Sequence, residues 1–225
     1  MKLNSIDISE YGLYLLKMPP VVKPPKRVRR ITIPGRSGHL TEWSGDYESY
    51  TKEPELYCAE ADLADALEAL RNAMYIEFDN EPGYVYDVSA DEVIEAAVEG
   101  GVWYRITARY FTQPLKRQAI ETVYKDAISY SITNPGNEPA YPKLVITGAG
   151  AKTVTIGTQT ITISFATLGE TITIDALNGQ IYDEAGNNAW NKVTGDLPVI
   201  PVSTSAITIS TTASALTVYP NWRWS

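Results

Sequence analysis

The residues with the clearest potential for chemistry are Ser37 and the single histidine, His39, in the sequence G-R-S-G-H at residues 35–39. A serine hydroxyl near an imidazole could act as a nucleophile, and G-x-S-x-G is the sequence of the nucleophile elbow. Here His39 stands where the second glycine is required, and no alternation of strands and helices surrounds it. Neighbours two apart on a strand share a face without converging on one substrate atom. We therefore predict a turn, with His39 at the surface or in an interface.

Acidic clusters offer no complete site either. The segment D-E-A-G-N-N at residues 183–188 lacks the spacing and the distal glutamate of a calcium loop, which favours an Asx-rich hairpin turn. A carboxylate pair for glycoside hydrolysis needs a defined separation, which the sequence does not supply for its candidates, Asp175, Asp183, Glu184 and Asp196. We expect no enzymatic activity, and no catalytic, cofactor-binding or metal-binding residues.

The composition of the chain argues against several kinds of site and partner. One cysteine, Cys58, excludes an internal disulfide, and together with one histidine it excludes a Cys/His zinc cluster. The net charge of −8 argues against sequence-specific binding of nucleic acid. Polar residues interrupt any signal-peptide core near the N-terminus, and no apolar run reaches the length of a membrane span, so we expect synthesis in a cytoplasm and no membrane partner.

The first candidate for an interaction surface is residues 29–44, R-R-I-T-I-P-G-R-S-G-H-L-T-E-W-S. The pattern predicts a basic strand, a Pro-Gly turn and a second amphipathic strand. Before it comes M-P-P-V-V-K-P-P-K, in which prolines fix φ and remove amide donors. We predict an extended arm here. A connecting loop and a ligand for SH3-type domains are the alternatives.

Other segments of the first half predict the elements that hold this surface. Residues 55–60 alternate as a strand, with Leu56 and Cys58 on one face, and residues 61–73 have the three-and-four spacing of an amphipathic helix. A hairpin joins residues 75–79 to 84–88, and residues 102–111 predict one long strand that places Trp103 opposite the apolar face. Residues 91–99 fit a short helix or a strand.

Near residue 120 the chain loses most of its charged residues, and we predict a boundary between domains 1–120 and 121–225. Beyond it, short Ile/Val/Thr segments separated by glycine-containing turns predict an antiparallel sandwich. Fifteen Tyr and five Trp could stack on sugars, anchor an interface or fill cores. Core packing is the expectation for Trp222 and Trp224, on one face of a final strand.

Taken in order, these segments resemble the distal tail protein (Dit) family of siphophages and Gram-positive prophages. The most specific strings are I-P-G-R-S-G and N-P-G-N-E-P-A-Y-P-K, supported by S-I-D-I-S-E-Y-G-L-Y, N-N-A-W-N-K-V-T-G-D-L-P-V-I and the terminal V-Y-P-N-W-R-W-S. The resemblance covers nearly the whole chain. It implies a mainly β fold: an N-terminal tail-tube-like β-barrel or split sandwich with one helix, and a C-terminal galactose-binding-like β-sandwich, or jelly roll.

The resemblance also implies a function in the virion tail, as a homo-hexameric hub that joins the tail-tube protein to the tail-tip or baseplate protein and is needed for tail assembly. No cofactor is implied, and DNA would cross the lumen without sequence-specific contacts. The carbohydrate-binding insertion of some relatives has no room here. The alternative function is a carbohydrate-binding module that contacts the host cell wall. For the ring we single out nine candidate interface residues: Pro19, Pro20, Pro24, Pro25, Arg27, Arg29, Arg30, Arg36 and His39. The arginines would face acidic partners, line the lumen or lie on a solvated strand face.

Overall fold

The structure is a computed structural model that describes residues 1–89, 94–120, 123–127, 129–209 and 215–225. The chain divides into two compact units, Met1–Ala119 with Ser225, and Ile120–Trp224. Strands dominate both units, and α1 (Leu63–Arg71) is the α-helix of the described residues. The predicted mainly β class with one helix is confirmed. Within the described ranges, no helix combines the length and the apolar character needed to cross a bilayer.

The first unit contains two antiparallel sheets and a separate hairpin. One sheet has the order β2-β1-β8-β9-β12-β6, with β13 also paired to β9, and the other has the order β10-β11-β7-β3. The hairpin consists of β4 and β5 alone. The strands are β1 (Lys2–Leu3), β2 (Ile6–Asp7), β3 (Tyr14–Lys17), β4 (Lys26–Ile31), β5 (Leu40–Tyr47), β6 (Tyr50–Lys52), β7 (Glu55–Ala59), β8 (Tyr75–Glu77), β9 (Tyr84–Ser89), β10 (Ile94–Glu99), β11 (Trp103–Ala108), β12 (Tyr110–Thr112) and β13 (Lys116–Gln118).

The helix lies where the sequence predicts it. A 3₁₀ turn over Glu60–Asp62 leads into α1, which ends where the amide of Asn72 donates to the carbonyl of Glu68. Its Ala66 and Leu70 are fully buried in the same core as Leu56 and Cys58 of β7. One apolar stripe on the helix therefore covers the inner face of the sheet.

The structure corrects one prediction for the first unit and resolves a second one that the sequence left ambiguous. The predicted long strand is wrong in its continuity: it breaks at Arg109, so that β11 pairs with β7 and β10 whereas β12 pairs with β6 and β9. Alternation continues across such a break, because both strands bury residues of the same parity. The ambiguous segment is strand β10 over Ile94–Glu99, and residues 91–93 lie outside the described residues. The hairpin of β8 and β9 is confirmed.

The second unit contains one large antiparallel sheet system. Its main order is β14-β21-β16-β17-β18, while β20 pairs with β15 and β16, and β19 pairs with β17. The strands of this sheet system are β14 (Tyr124–Ala127), β15 (Ser129–Thr133), β16 (Lys143–Ile156), β17 (Gln159–Asp175), β18 (Gln180–Asp183), β19 (Val193–Thr194), β20 (Thr204–Ile209) and β21 (Ala215–Tyr219). The short strand β22 (Arg223–Trp224) is not part of it.

The predicted short strands of the second unit are partly wrong, because β16 and β17 are continuous over 14 and 17 residues. Gly148, Gly150 and Gly169, which we expected to separate strands, lie inside them, whereas Gly157 and Gly179 lie in turns between strands as predicted. The register shifts between Gly148 and Gly150, where Gly150 has φ +64°, as expected for a β-bulge. Before the bulge β16 pairs with β21, and after it with β20, so one strand serves two neighbours.

The core of the second unit is built from the Ile and Val positions of these strands, and Trp222 is buried in it with Trp224 packed against it. This agrees with the expectation of core packing for the terminal tryptophans. The Asx-rich turn is also present: the Asp183 carboxylate accepts from the amide of Asn187 at 2.8 Å.

Candidate interaction surfaces

The hairpin of β4 and β5 has almost no core of its own. Ile31 pairs with Leu40 at its outer end, and the connection of residues 32–39 is exposed throughout. The turn is thus longer than the Pro-Gly reversal we predicted. No strand residue of the hairpin is buried, and no further described strand pairs with either edge. A two-stranded hairpin in water is marginally stable, and its open edges are templates for another chain.

A small polar-aromatic cluster holds the base of this hairpin. The Trp43 ring lies 4.0 Å from Lys26 Nζ and packs edge-on against Tyr47, and its indole N–H donates to the carbonyl of Asp46 at 2.9 Å. Arg27 forms an ion pair with Asp46 at 2.9 Å. Because these side chains are half exposed, the cluster orders the hairpin without burying it.

The other candidate residues of the hairpin reach solvent. Arg29, Arg30, Arg36 and His39 are all exposed. The geometry does not bring Ser37 and His39 into a pocket with an acid. That these residues contact a neighbouring subunit stays a prediction.

The proline arm is fastened to its own unit. The carbonyl of Pro19 accepts from the side-chain amide of Asn80, and the carbonyl of Pro25 accepts from the amide of Glu48 at 2.8 Å. Pro19 and Pro24 are buried, whereas Pro20 and Pro25 are exposed. In this conformation only the exposed pair can contact a second molecule.

The anchor of the arm is a buried lysine that sequence reasoning missed. Lys52 Nζ donates to the carbonyl of Pro20 at 3.1 Å and lies 4.0 Å from the Glu81 carboxylate. The ammonium also sits 4.3 Å from the ring of Tyr86. Glu81 is only 8% exposed, and it accepts hydrogen bonds from Lys116 and from the Tyr86 hydroxyl. Two cations and a carboxylate thus meet beneath the arm.

Burial and neighbouring charges shift the pKa values of Lys52, Glu81 and the adjacent Tyr50. Burial lowers the pKa of Lys52, although the charge of Glu81 opposes that shift. Burial would raise the pKa of Glu81, but the hydrogen bonds from Lys116 and Tyr86 and the two nearby ammonium charges lower it overall. Burial raises the pKa of Tyr50 to about 12. Lys52 stands between Thr51 and Glu53 and Lys116 between Leu115 and Arg117, so only long-range pairing reveals that the two lysines converge.

The second unit carries one open cleft with an exposed aromatic. Gln180, Tyr182, Asn188 and Trp190 line a cavity of about 280 Å³, and Trp190 is 45% exposed. A flat indole beside amide groups can stack on a sugar ring while the amides bind hydroxyls. Among the described residues, no three His, Cys, Asp or Glu side chains are grouped as metal ligands would be.

No family model matches the sequence, and no curated protein matches it. A solved structure does match in fold: the crystal structure of the SPP1 Dit protein (gp 19.1), described as a paradigm of the hub adsorption apparatus in phages that infect Gram-positive bacteria. The two share a TM-score of 0.71 and 15% sequence identity, over 97% of this chain and 96% of that chain. The resemblance drawn from the sequence motifs is therefore confirmed in three dimensions, and the chain has the fold of a Dit distal tail protein.

Proposed function

We propose that this chain is a structural component of a phage tail, a hexameric hub that joins the tail tube to the tail tip or baseplate and is needed for tail assembly. The observation that carries the proposal is the hairpin of β4 and β5, which presents two open edges and a fully exposed connection. Such a hairpin gains stability when a neighbouring copy covers it. The fold shared with the SPP1 hub protein supports the same role.

The division of labour follows the two units. Residues 1–120 would form the ring, because they carry the hairpin, the arm and the nine candidate interface residues. Residues 121–225 would form a separate sandwich domain. The protein would act without a cofactor and without enzymatic activity, in the tail of a virion made in a bacterial cytoplasm.

Light scattering after size exclusion tests the proposal. The molar mass that light scattering gives for the wild-type protein should be six times the 24.8 kDa mass of the chain. Ile33→Asp and Leu40→Asp, on the exposed outer end of the hairpin, should shift it to monomer because each places a charge in the contact. Leu168→Asp is the matched control, an even more exposed apolar residue in the second unit, and it should leave the assembly intact. A wild-type monomer at every concentration would refute the hub.

The second candidate function is binding of a cell-wall carbohydrate through the Trp190 cleft. It predicts that the protein sediments with purified cell-wall polysaccharide and that Trp190→Ala abolishes this. A hexamer with no affinity for polysaccharide would exclude the carbohydrate candidate, whereas a monomer that binds polysaccharide would exclude the hub.

A further inference from the structure

An aromatic cleft lies on the outer face of the sheet formed by β10, β11, β7 and β3. Tyr14, Tyr57, Trp103, Glu99 and Gly100 line a cavity of about 440 Å³. Strand register creates it: Tyr14 pairs with Tyr57, and Trp103 pairs with Glu99. The Tyr14 and Trp103 rings meet edge-on at 6.2 Å.

The aromatic side chains that line this cleft are unusually exposed to solvent. Tyr14 is 60% and Trp103 43% exposed. Large apolar side chains gathered at one place on a surface mark an interaction site more often than scattered ones do. The face opposite, with Leu56 and Ile106, already packs on the core, so the structural need for apolar residues is met there.

The chemistry of the cleft suits a planar cation. Aromatic faces attract cations, and a carboxylate at the rim can accept two parallel hydrogen bonds from a guanidinium. The Tyr57 hydroxyl donates to the Glu99 carboxylate and so orients it. That hydrogen bond raises the pKa of Tyr57, which keeps the phenol a neutral donor. The nearby Arg105 does not fill the site, because its guanidinium pairs with Glu55.

The chain itself supplies a matching cation. Arg36 stands in the exposed connection of the hairpin, between Gly35 and Gly38, which have φ +83° and +84°. Arg29 and Arg30 lie along strand β4, whereas a side chain at the hairpin end can enter a concave site. The hairpin is basic in a chain with a net charge of −8, and β10 presents Glu95 and Glu99 to solvent. The two surfaces are therefore complementary in charge.

We propose that Arg36 of one copy inserts into this cleft of a second copy, stacks its guanidinium on Trp103 and pairs with Glu99. The contact rests on the proposed ring. It joins two different surfaces of the same chain, so it is heterologous, and contacts of that kind close into rings when the rotation between copies allows.

A charge swap tests the pairing. Arg36→Glu and Glu99→Arg should each weaken self-association by about 100-fold or more, and the double variant should recover most of it, because the pair is restored in reverse. Glu68→Arg, an exposed glutamate on α1, is the matched control and should assemble as the wild type does. Light scattering across a concentration series gives the association, and thermal melts verify that each variant folds, which surface substitutions rarely prevent.

The outcomes separate this inference from the hub itself. A wild-type protein that never associates overturns both. A wild-type ring that survives Arg36→Glu and Glu99→Arg overturns only the inference, as does a double variant no better than the singles.

Discussion

Replacing Glu81 by Gln should be the most damaging conservative substitution in the first unit. Glu81 is 8% exposed and is the counter-charge of both Lys52 and Lys116. Removing one partner of a buried ion pair leaves an uncompensated charge and costs about 3 kcal/mol or more. For a unit of this size that corresponds to a fall in Tm of about 10 °C. Thermal unfolding followed by circular dichroism measures it.

The pH dependence identifies the cause. Burial lowers the pKa of Lys52 in the folded protein, and the negative charge of Glu81 partly offsets that shift. Removing the Glu81 charge therefore lowers the pKa of Lys52 further. As pH rises through the folded pKa the buried lysine becomes neutral, while the unfolded chain holds its proton up to the ordinary value of 10.5. The unfolded state then binds more protons, so the variant gains stability with rising pH. The difference in Tm between wild type and variant should narrow from about pH 7 to about pH 10.

The control is Glu53→Gln. Glu53 pairs with Arg109 at 2.7 Å, but both side chains are about half exposed, so we expect a loss below about 1 kcal/mol. If Glu81→Gln costs no more than this control, or if its deficit is the same at both pH values, the account of a buried charge cluster is wrong.

Three further predictions concern single residues. Cys58 is fully buried and burial raises the pKa of its thiol, so a thiol reagent should modify it only on unfolding; rapid modification of the native protein would contradict this. Gly136→Ala should destabilise the second unit by about 2 kcal/mol or more, because a Cβ there would lie 2.3 Å from the carbonyl of Arg223; an unchanged denaturation midpoint would show that the backbone yields. The hydrogen bond from Lys192 is the main cause of the lowered pKa of Glu170. The contribution of Glu170 to the free energy of unfolding is therefore present above pH 4.5 and is lost as pH falls through the lowered pKa. Acid titrations should thus show the wild type losing more stability than Glu170→Gln.

Several features of the fold were predictable because they depend on residues close in sequence. The spacing of Ala66 and Leu70 placed the helix, and alternation placed Leu56 and Cys58 on the buried side of β7. The same alternation put Trp103 on the opposite, polar side of its strand. That was the one signal in the sequence for the aromatic cleft, since a tryptophan on a solvent face needs another reason to be there.

Continuity of strands was harder to predict. A glycine reads as a turn in a one-dimensional pattern, yet in β16 it forms a bulge through which pairing continues. Whether a glycine ends a strand or bends it depends on the partner strand, which the local sequence does not specify. The break at Arg109 has the same origin, because the segment before it pairs with β7 in one sheet and the segment after it pairs with β6 in another.

The sequence by itself determined the periodic elements, the exposed basic hairpin and the family of folds, because side-chain period and turn chemistry act over a few residues. Only the tertiary structure decided what converges. Lys52, Glu81 and Lys116 come from separate segments and meet beneath the arm, and Tyr14 reaches Trp103 only because β3 and β11 both pair with β7. Such contacts depend on which strands pair and in what register, and that is set by burial of the whole core.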